Sequence, residues 1–227
     1  DAKYIEDMVI YKDENIIVLN KPSGLAVQGG TNTLKHIDGL LDALKFGNEE
    51  KPKLVHRIDK DTSGVLVLAR HRKMADMLTK AFREHTLQKT YLALARGVPA
   101  KEIGEIKAPL EKVDGRVQVL DGGKPAITEY EVLDSVSDRF ALIAASPLTG
   151  RTHQIRVHLE YIDAPILGDD KYFGTERMKS SLFINKLHLH AYKIDLSSVY
   201  GKRVVVKAKL PDYFKESLKT LGLNFKE

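Results

Sequence analysis

The alternation of apolar and polar positions predicts a chain of mixed α and β character. Ile16 to Leu19 is a short apolar strand running into the turn signal NKPSG, and Gly64 to Ala69 is a near-continuous apolar run of the kind buried on both faces. Between them, Leu34, Ile37, Leu40, Leu41 and Leu44 recur at helical spacing, which predicts a helix over Leu34 to Leu44. Met74, Met77, Leu78, Ala81 and Phe82 form a second helical stripe, read as core. Tyr91 to Ala95, Thr128 to Val132 and Phe140 to Ala144 follow as strands, the last two joined by the polar turn SVSD. His153 to Tyr161 is expected as a helix with Ile155, Leu159 and Ile162 inward, and Lys202 to Ala208 returns to strand alternation. No repeat, low-complexity tract or flexible linker divides the 227 residues. One domain is therefore expected, an α+β fold built on a mixed, mainly antiparallel sheet with flanking helices.

Composition narrows the chemistry. Cysteine is absent, which excludes disulfides, thiolate catalysis and cysteine-ligated zinc. No run approaches the roughly 18 apolar residues of a membrane-spanning helix, and DAKYIEDMVI at the start lacks the basic and apolar regions of a secretory signal. An intracellular, cytoplasmic protein without membrane contact is the expectation. The net charge of +5 is unevenly placed: Lys51 to Tyr91 holds ten Lys and Arg against four Asp and Glu. Such a local positive field suits a polyanion such as RNA, and solubility alone is the competing reading.

Two polar clusters border the apolar strands. HRIDKDTSG at His56–Gly64 stands just ahead of VLVLA, and TGRTHQIRVH at Thr149–His158 carries Arg151, His153, Arg156 and His158. Charged groups at the mouth of a buried strand are both exposed and preorganised, so the pair reads as two sides of one site. GGTNTL at Gly29–Leu34 lacks the lysine of a nucleotide triphosphate loop, no dinucleotide fingerprint follows a strand, and no cofactor is expected. His188 and His190 in LHLHA share a strand face, but no HExxH pattern or matching ligand set accompanies them, so buried hydrogen-bonded histidines are expected rather than a metal site. Asp169 and Asp170 read as turn residues bonding nearby backbone N–H groups. Carboxylate and arginine chemistry remains. An aspartate is ionised at neutral pH and needs no base to act as a nucleophile, and a neighbouring arginine keeps it so. Asp59 sits between Arg57 and Lys60, whereas Asp61 opens the Thr-Ser-Gly turn and can cap it, so position favours Asp59. An ordinary salt bridge is the competing reading.

Taken in order, the segments resemble the RluA-type RNA pseudouridine synthases, which modify large-subunit ribosomal RNA and some transfer RNAs. The similarity runs from NKPSG at Asn20–Gly24 through HRIDKDTSG, KTYLALARG at Lys89–Gly97 and GKPAITEYEVL at Gly123–Leu133, then LTGRTHQIRVH at Leu148–His158, ILGDDKY at Ile166–Tyr172 and LHLHA at Leu187–Ala191. VQGGT at Val27–Thr31 and GKPAI are most similar to the branch that modifies several uridines of the large-subunit RNA. The resemblance implies the pseudouridine synthase catalytic fold over residues 1–227, without the small S4-type domain that members of this branch often carry at the N-terminus. It also implies the site. Asp59 takes the place of the catalytic aspartate, with Ile58 standing for the leucine of the family's HRLD motif. Arg57 matches the arginine that enters the RNA stack and holds out the flipped nucleotide, Tyr91 the tyrosine that stacks on the target base, and Arg151 the arginine that pairs with the catalytic carboxylate. Leu189 falls on the apolar position beneath the ring. The implied reaction breaks the N1–C1′ bond, turns the uracil and joins C5 to C1′, with no cofactor and no metal. Addition of the carboxylate at C1′ or at C6, and passage through a glycal, all stay open. The implied partner is ribosomal RNA ahead of transfer RNA, acted on by a monomer. Two readings from other classes stand beside this one: a metal-dependent nuclease using Asp59 or Asp61 with Asp169, and a non-catalytic RNA-binding protein.

Overall fold

The computed structural model describes residues 1–173 and 182–227. The backbone gathers into two compact units, residues 1–89 with 191–209 and residues 90–190 with 210–227. Each unit is assembled from two separate stretches of chain, so the division leaves no linker composition to be read in the sequence.

The first unit opens with helix α1 (Ala2–Glu6) and strands β1 (Val9–Lys12) and β2 (Ile16–Lys21), followed by a 3-10 helix (Asp38–Leu44), β3 (Lys53–Leu54), β4 (Ser63–Ala69) and helix α2 (Arg72–Arg83). β2 lies antiparallel between β1 and β4. All of β4 and Ile16 through Leu19 are buried, as their unbroken apolar runs require. Leu66 and Leu68 of β4 pack with Ile17, Leu19, Ile37, Leu41, Leu44 and Ile58 in one apolar cluster. α2 starts where the His71 side chain accepts the Met74 N–H at 3.2 Å. Its buried face is Met74, Ala75, Leu78 and Ala81, while Met77 is 39% exposed, so the core stripe runs through Ala75 in its place.

The helix expected over Leu34 to Leu44 is shorter and tighter than its spacing suggests. The N–H groups of Ile37 and Asp38 donate to the carbonyls of Ala26 and Val27, both at 2.9 Å. Those backbone bonds, with the bridge between Ala26 and His36, tie this stretch to the Ala26–Val27 strip, the helix begins only at Asp38, and Leu34 is left 100% exposed.

The second unit holds most of β5 (Gln88–Arg96), then β6 (Ile103–Lys107), β7 (Leu110–Val113), β8 (Arg116–Val119), β9 (Ile127–Val136), β10 (Phe140–Pro147) and helix α3 (Gln154–Tyr161). β10 lies antiparallel between β5 and β9, and β6 pairs with β9. β9 and β10 form the expected hairpin, but they run past the Ser-Val pair of SVSD. Ser135 and Val136 still pair with Ala141 and Phe140, and Ser137 and Asp138 make the reversal with φ of 55° and 50°. The β7–β8 hairpin turns on Asp114-Gly115, both at positive φ, a turn dipeptide suited to the twist of paired strands.

The chain ends with β11 (Leu189–Asp195), α4 (Ser197–Tyr200), β12 (Val205–Lys207) and α5 (Asp212–Leu221). From Ala191 onward β11 belongs to the first unit, where it lies beside β4 and pairs with β12. Gly64 marks the close approach of these strands. Its φ is 110°, and a Cβ there would lie 2.1 Å from the Ala191 carbonyl oxygen. Gly64→Ala is expected to cost more than about 2 kcal/mol of stability, through clash and backbone strain together. Urea unfolding measures it, and an unchanged midpoint would show that the strands part at no cost.

Candidate active site

Asp59 is placed by what surrounds its backbone. The segment from His56 to Thr62 crosses the end of β4 with Ile58 buried, Asp59 half-buried and Arg57 and Lys60 exposed. Ile58 joins the apolar cluster of the first unit, so the residue that departs from the family's leucine fills the same kind of space. On the other side stands Lys21, the last residue of β2, with 0% exposure. Its ammonium donates to the carbonyls of Pro22 at 2.9 Å, Leu25 at 2.7 Å and Lys60 at 2.8 Å. The Gly24 N–H also donates to Lys60 O at 2.9 Å, and the Ser23 hydroxyl to Asp61 O at 2.8 Å. The turn lies earlier than the expected Thr-Ser-Gly: Thr62 N–H donates to Asp59 O at 3.1 Å, Ser63 and Gly64 already belong to β4, and Asp61 sits inside the turn rather than opening it. NKPSG is thus more than a turn: it grips the two carbonyls inside the Asp59–Thr62 loop, those of Lys60 and Asp61. Burial pulls the Lys21 pKa down to about 7, opposed by the negative charges of Asp61 and Asp59.

His56 anchors the start of the same segment. Its ring stacks on Phe82 of α2 with centroids 4.0 Å apart, and Nε2 accepts the Val67 N–H of β4 at 2.8 Å. An N–H can only donate, so Nε2 carries the lone pair and the ring proton sits on Nδ1. Burial, reinforced by the nearby Lys89 ammonium, pulls its pKa down to about 3.

Tyr91, Arg151 and Leu189 belong to the second unit. Tyr91, on β5 opposite Ala145, packs against the apolar cluster that contains Leu189, Ile155 and Leu187. Leu189 itself is buried. Arg151 is exposed on the turn leading into α3. Its Nε donates to Pro125 O at 3.0 Å and its backbone N–H to the Gln154 side chain at 3.2 Å, so both ends of the residue are tied down.

The rest of the second polar cluster is structural. Every residue from Gln154 to Leu159 is buried, and the polar ones among them need partners inside the fold. Arg156 forms a bidentate pair with Asp169, Nε to Oδ2 and Nη2 to Oδ1, both at 2.8 Å. Asp169 also accepts the N–H groups of Lys171 and Tyr172, as a turn aspartate should. These bonds hold its carboxyl below the usual range despite burial. His153 lies outside the helix at φ 55°, its Nδ1 2.7 Å from the Tyr172 hydroxyl. His188 is buried, with Nδ1 2.7 Å from Lys186 O and Nε2 2.8 Å from the Ser217 hydroxyl. Sequence reasoning missed Lys21 and Gln154. The signal was available in both cases, a lysine ending an apolar strand and a glutamine three residues after a turn arginine.

The mixed, mainly antiparallel sheet with flanking helices is the pseudouridine synthase architecture. A sequence profile of the RNA pseudouridylate synthase family matches residues 15–161. The ribosomal large subunit pseudouridine synthase C of Rickettsia conorii is 42% identical over 222 residues, covering 95% of this chain and 72% of that protein. RNA pseudouridine synthase 4, mitochondrial, of Arabidopsis thaliana is 45% identical over 253 residues, covering 88% of this chain and 53% of that protein. Among solved structures, human RNA pseudouridylate synthase domain containing 4 matches with a TM-score of 0.85 at 32% identity, over 100% of this chain and 97% of that one. The chain belongs to the RNA pseudouridylate synthase family, and it is an enzyme that isomerises uridine to pseudouridine.

His188, like His56, is held neutral, its pKa pulled down to about 4 by burial. In the unfolded chain a histidine takes up its proton near pH 6.5. The folded pKa being lower, the stability each ring supports is complete above about pH 6.5 and is lost as pH falls toward 4, at up to about 1.4 kcal/mol per pH unit for His188. The urea midpoint is expected to drop between pH 7 and pH 5, and His188→Asn to flatten that slope. A parental midpoint constant over this range contradicts it.

Proposed function

We propose that this enzyme acts on large-subunit ribosomal RNA and that Asp59 is its nucleophile. The observation that carries the assignment is the mounting of Asp59: a half-buried carboxylate on a loop whose neighbouring carbonyls are held by Lys21, Gly24 and Ser23. A fixed carboxylate is aimed, and aim is the larger part of reactivity between groups brought together. The choice of ribosomal RNA is supported by the substrate in the names of the relatives from Rickettsia and by the basic surplus of residues 51–91. By the family resemblance, Arg57 replaces the flipped nucleotide in the RNA stack, Tyr91 stacks on the uracil and Arg151 pairs with the Asp59 carboxylate, with Leu189 apolar support beneath the ring. The exposure of Arg57 suits a residue that enters RNA. The reaction breaks N1–C1′, turns the detached uracil, forms C5–C1′ and releases the C5 hydrogen as a proton while N1 takes one up from water, so the net change is an isomerisation. A nuclease built on Asp59 or Asp61 with Asp169 is disfavoured, because both Asp169 oxygens are committed to Arg156 and to backbone N–H groups.

Tritium placed on C5 of uridine therefore appears in water as the reaction proceeds. Large-subunit ribosomal RNA is expected to release it with the parent protein and transfer RNA is not. Asp59→Asn, which keeps the volume and removes the charge, should fold, bind RNA within about tenfold of the parent and lose at least about a thousandfold in rate. Asp61→Asn should stay active. Near-normal release by folded Asp59→Asn shows that a different carboxylate reacts, and release from transfer RNA alone removes the substrate assignment.

Arg57→Ala separates stack replacement from phosphate binding. It is expected to slow turnover of a paired target uridine at least about tenfold more than that of an unstructured one, whereas loss of a phosphate-binding lysine lowers affinity uniformly. Equal losses on the two substrates rule out the wedge.

A further inference from the structure

Two of the segments shared with the family, GKPAITEYEVL and LTGRTHQIRVH, meet in the second unit. The strip Pro125–Thr128 is hydrogen-bonded to the Leu148–Gln154 stretch at several points. Leu148 N–H donates to Ile127 O at 2.9 Å, Ile127 N–H to the Thr149 hydroxyl at 3.0 Å, and Arg151 Nε to Pro125 O at 3.0 Å. At the centre is Gln154, 4% exposed. Its Oε1 accepts the Thr149 hydroxyl at 2.7 Å and the Arg151 N–H at 3.2 Å, and its Nε2 donates to Ile127 O at 2.9 Å and Thr128 Oγ1 at 3.0 Å. The amide orientation is settled twice over, since Ile127 O can only accept and Arg151 N–H can only donate.

The chain of bonds continues with one direction throughout. His158 Nε2 lies 2.9 Å from Ala108 O, which demands an N–H there. Nδ1 of the neutral ring is then an acceptor, and it takes the Thr128 hydroxyl proton at 2.7 Å. Burial lowers the His158 pKa, in keeping with the neutral ring. Thr128 and His158 are fully buried. The sequence is Arg151 N–H to Gln154, Gln154 to Thr128, Thr128 to His158, His158 to Ala108. No member can reverse without leaving a buried donor or acceptor unpaired. Gln154 N–H in turn donates to Arg151 O at 3.1 Å, so the two residues exchange bonds in the manner of a helix capping box.

We propose that Gln154 is a positioning residue for the isomerisation, fixing the backbone of Arg151 against the Pro125–Thr128 strip so that its guanidinium is delivered in one direction. The proposal rests on the reading of Arg151 as a catalytic residue. Thr128 and Thr149 act in the same way, through Gln154. A residue that served stability alone would carry the same hydrogen bonds, and coupling to Arg151 is what separates the two.

The test is a double-mutant cycle read by tritium release. Gln154→Met keeps the length of the side chain and removes its four bonds. It is expected to lower kcat about 10- to 100-fold with KM for RNA changed less than about threefold, because RNA contacts are untouched while the arginine is misaimed. In an Arg151→Lys background the same change should cost less than about threefold, the aim having nothing left to act on. Thr149 is half-buried, so Thr149→Val gives a milder lesion in a chain that still folds if Gln154→Met does not. It should lose rate with the same non-additivity, and Thr149→Ser, which keeps the hydroxyl, should restore it. Parental kcat in folded Gln154→Met, or an undiminished loss in the Arg151→Lys background for either lesion, overturns the proposal. Parental kcat in Arg151→Lys overturns the assignment of Arg151, and the positioning role falls with it. A slow Arg151→Lys beside a normal Gln154→Met sinks the positioning role alone.

Discussion

A cation with no surface exposure ends strand β2, and the loop that carries Asp59 is built on it. The Lys21 ammonium has three protons and three carbonyls to receive them, those of Pro22, Leu25 and Lys60. Burying a charge is costly unless it is paired and fully hydrogen-bonded. That cost makes the arrangement specific, since any shift of the loop at Lys60 strands a proton in a place without water. The nearby carboxylates of Asp59 and Asp61 offset part of the burial and favour the charged form. β4 adds the other constraint. It is buried along its whole length and approaches β11 so closely at Gly64 that no side chain fits. The HRIDKDTSG segment is thus held between a fully buried strand and a fully hydrogen-bonded lysine.

The second unit solves the same problem without a lone charge. α3 is buried from Gln154 to Leu159, a stretch that contains Gln154, Arg156 and His158. Each finds partners far along the chain: Gln154 on β9, Arg156 on Asp169, His158 on Thr128 and Ala108. Removing one member of such a set costs more than the bond itself is worth, because its neighbours are left buried and unsatisfied. The neutral histidines belong to the same design. His158 uses one ring nitrogen as a donor and the other as an acceptor, and His56 accepts the Val67 N–H through Nε2, both arrangements open only to the uncharged ring.

Apolar burial and polar pairing therefore divide the work. The clusters around Leu66 and Leu68, and around Ile143 and Leu159, decide where the strands and helices lie. They are non-directional. Direction comes from the hydrogen bonds at the strand ends, and those are where Asp59 and Arg151 emerge. Arg57 and Lys60, beside Asp59, are exposed.

Much of the frame was legible from periodicity. β2, β4 and the β9–β10 hairpin lie where apolar runs and turn residues place them, whereas the β7–β8 hairpin was not anticipated although its Asp114-Gly115 pair is a turn signal. Position favoured Asp59 over Asp61 because Asp59 stands between Arg57 and Lys60, but the expectation that Asp61 opens the turn fails, since the turn runs from Asp59 to Thr62 with Asp61 inside it. Periodicity failed where the backbone had another partner. Leu34 has the spacing of a helix face, but the bonds from Ile37 and Asp38 to the Ala26–Val27 strip hold off the helix and leave it in solvent. It was silent on pairing across distance. Lys60 is 39 residues from Lys21, Asp169 is 13 from Arg156, and Ala108 is 50 from His158. A repeat of 2 or 3.6 residues records which side of an element is apolar, a property of near neighbours. Whether a buried lysine, arginine or histidine is structural or chemical depends on which distant carbonyl or carboxylate reaches it, and only the folded chain decides that.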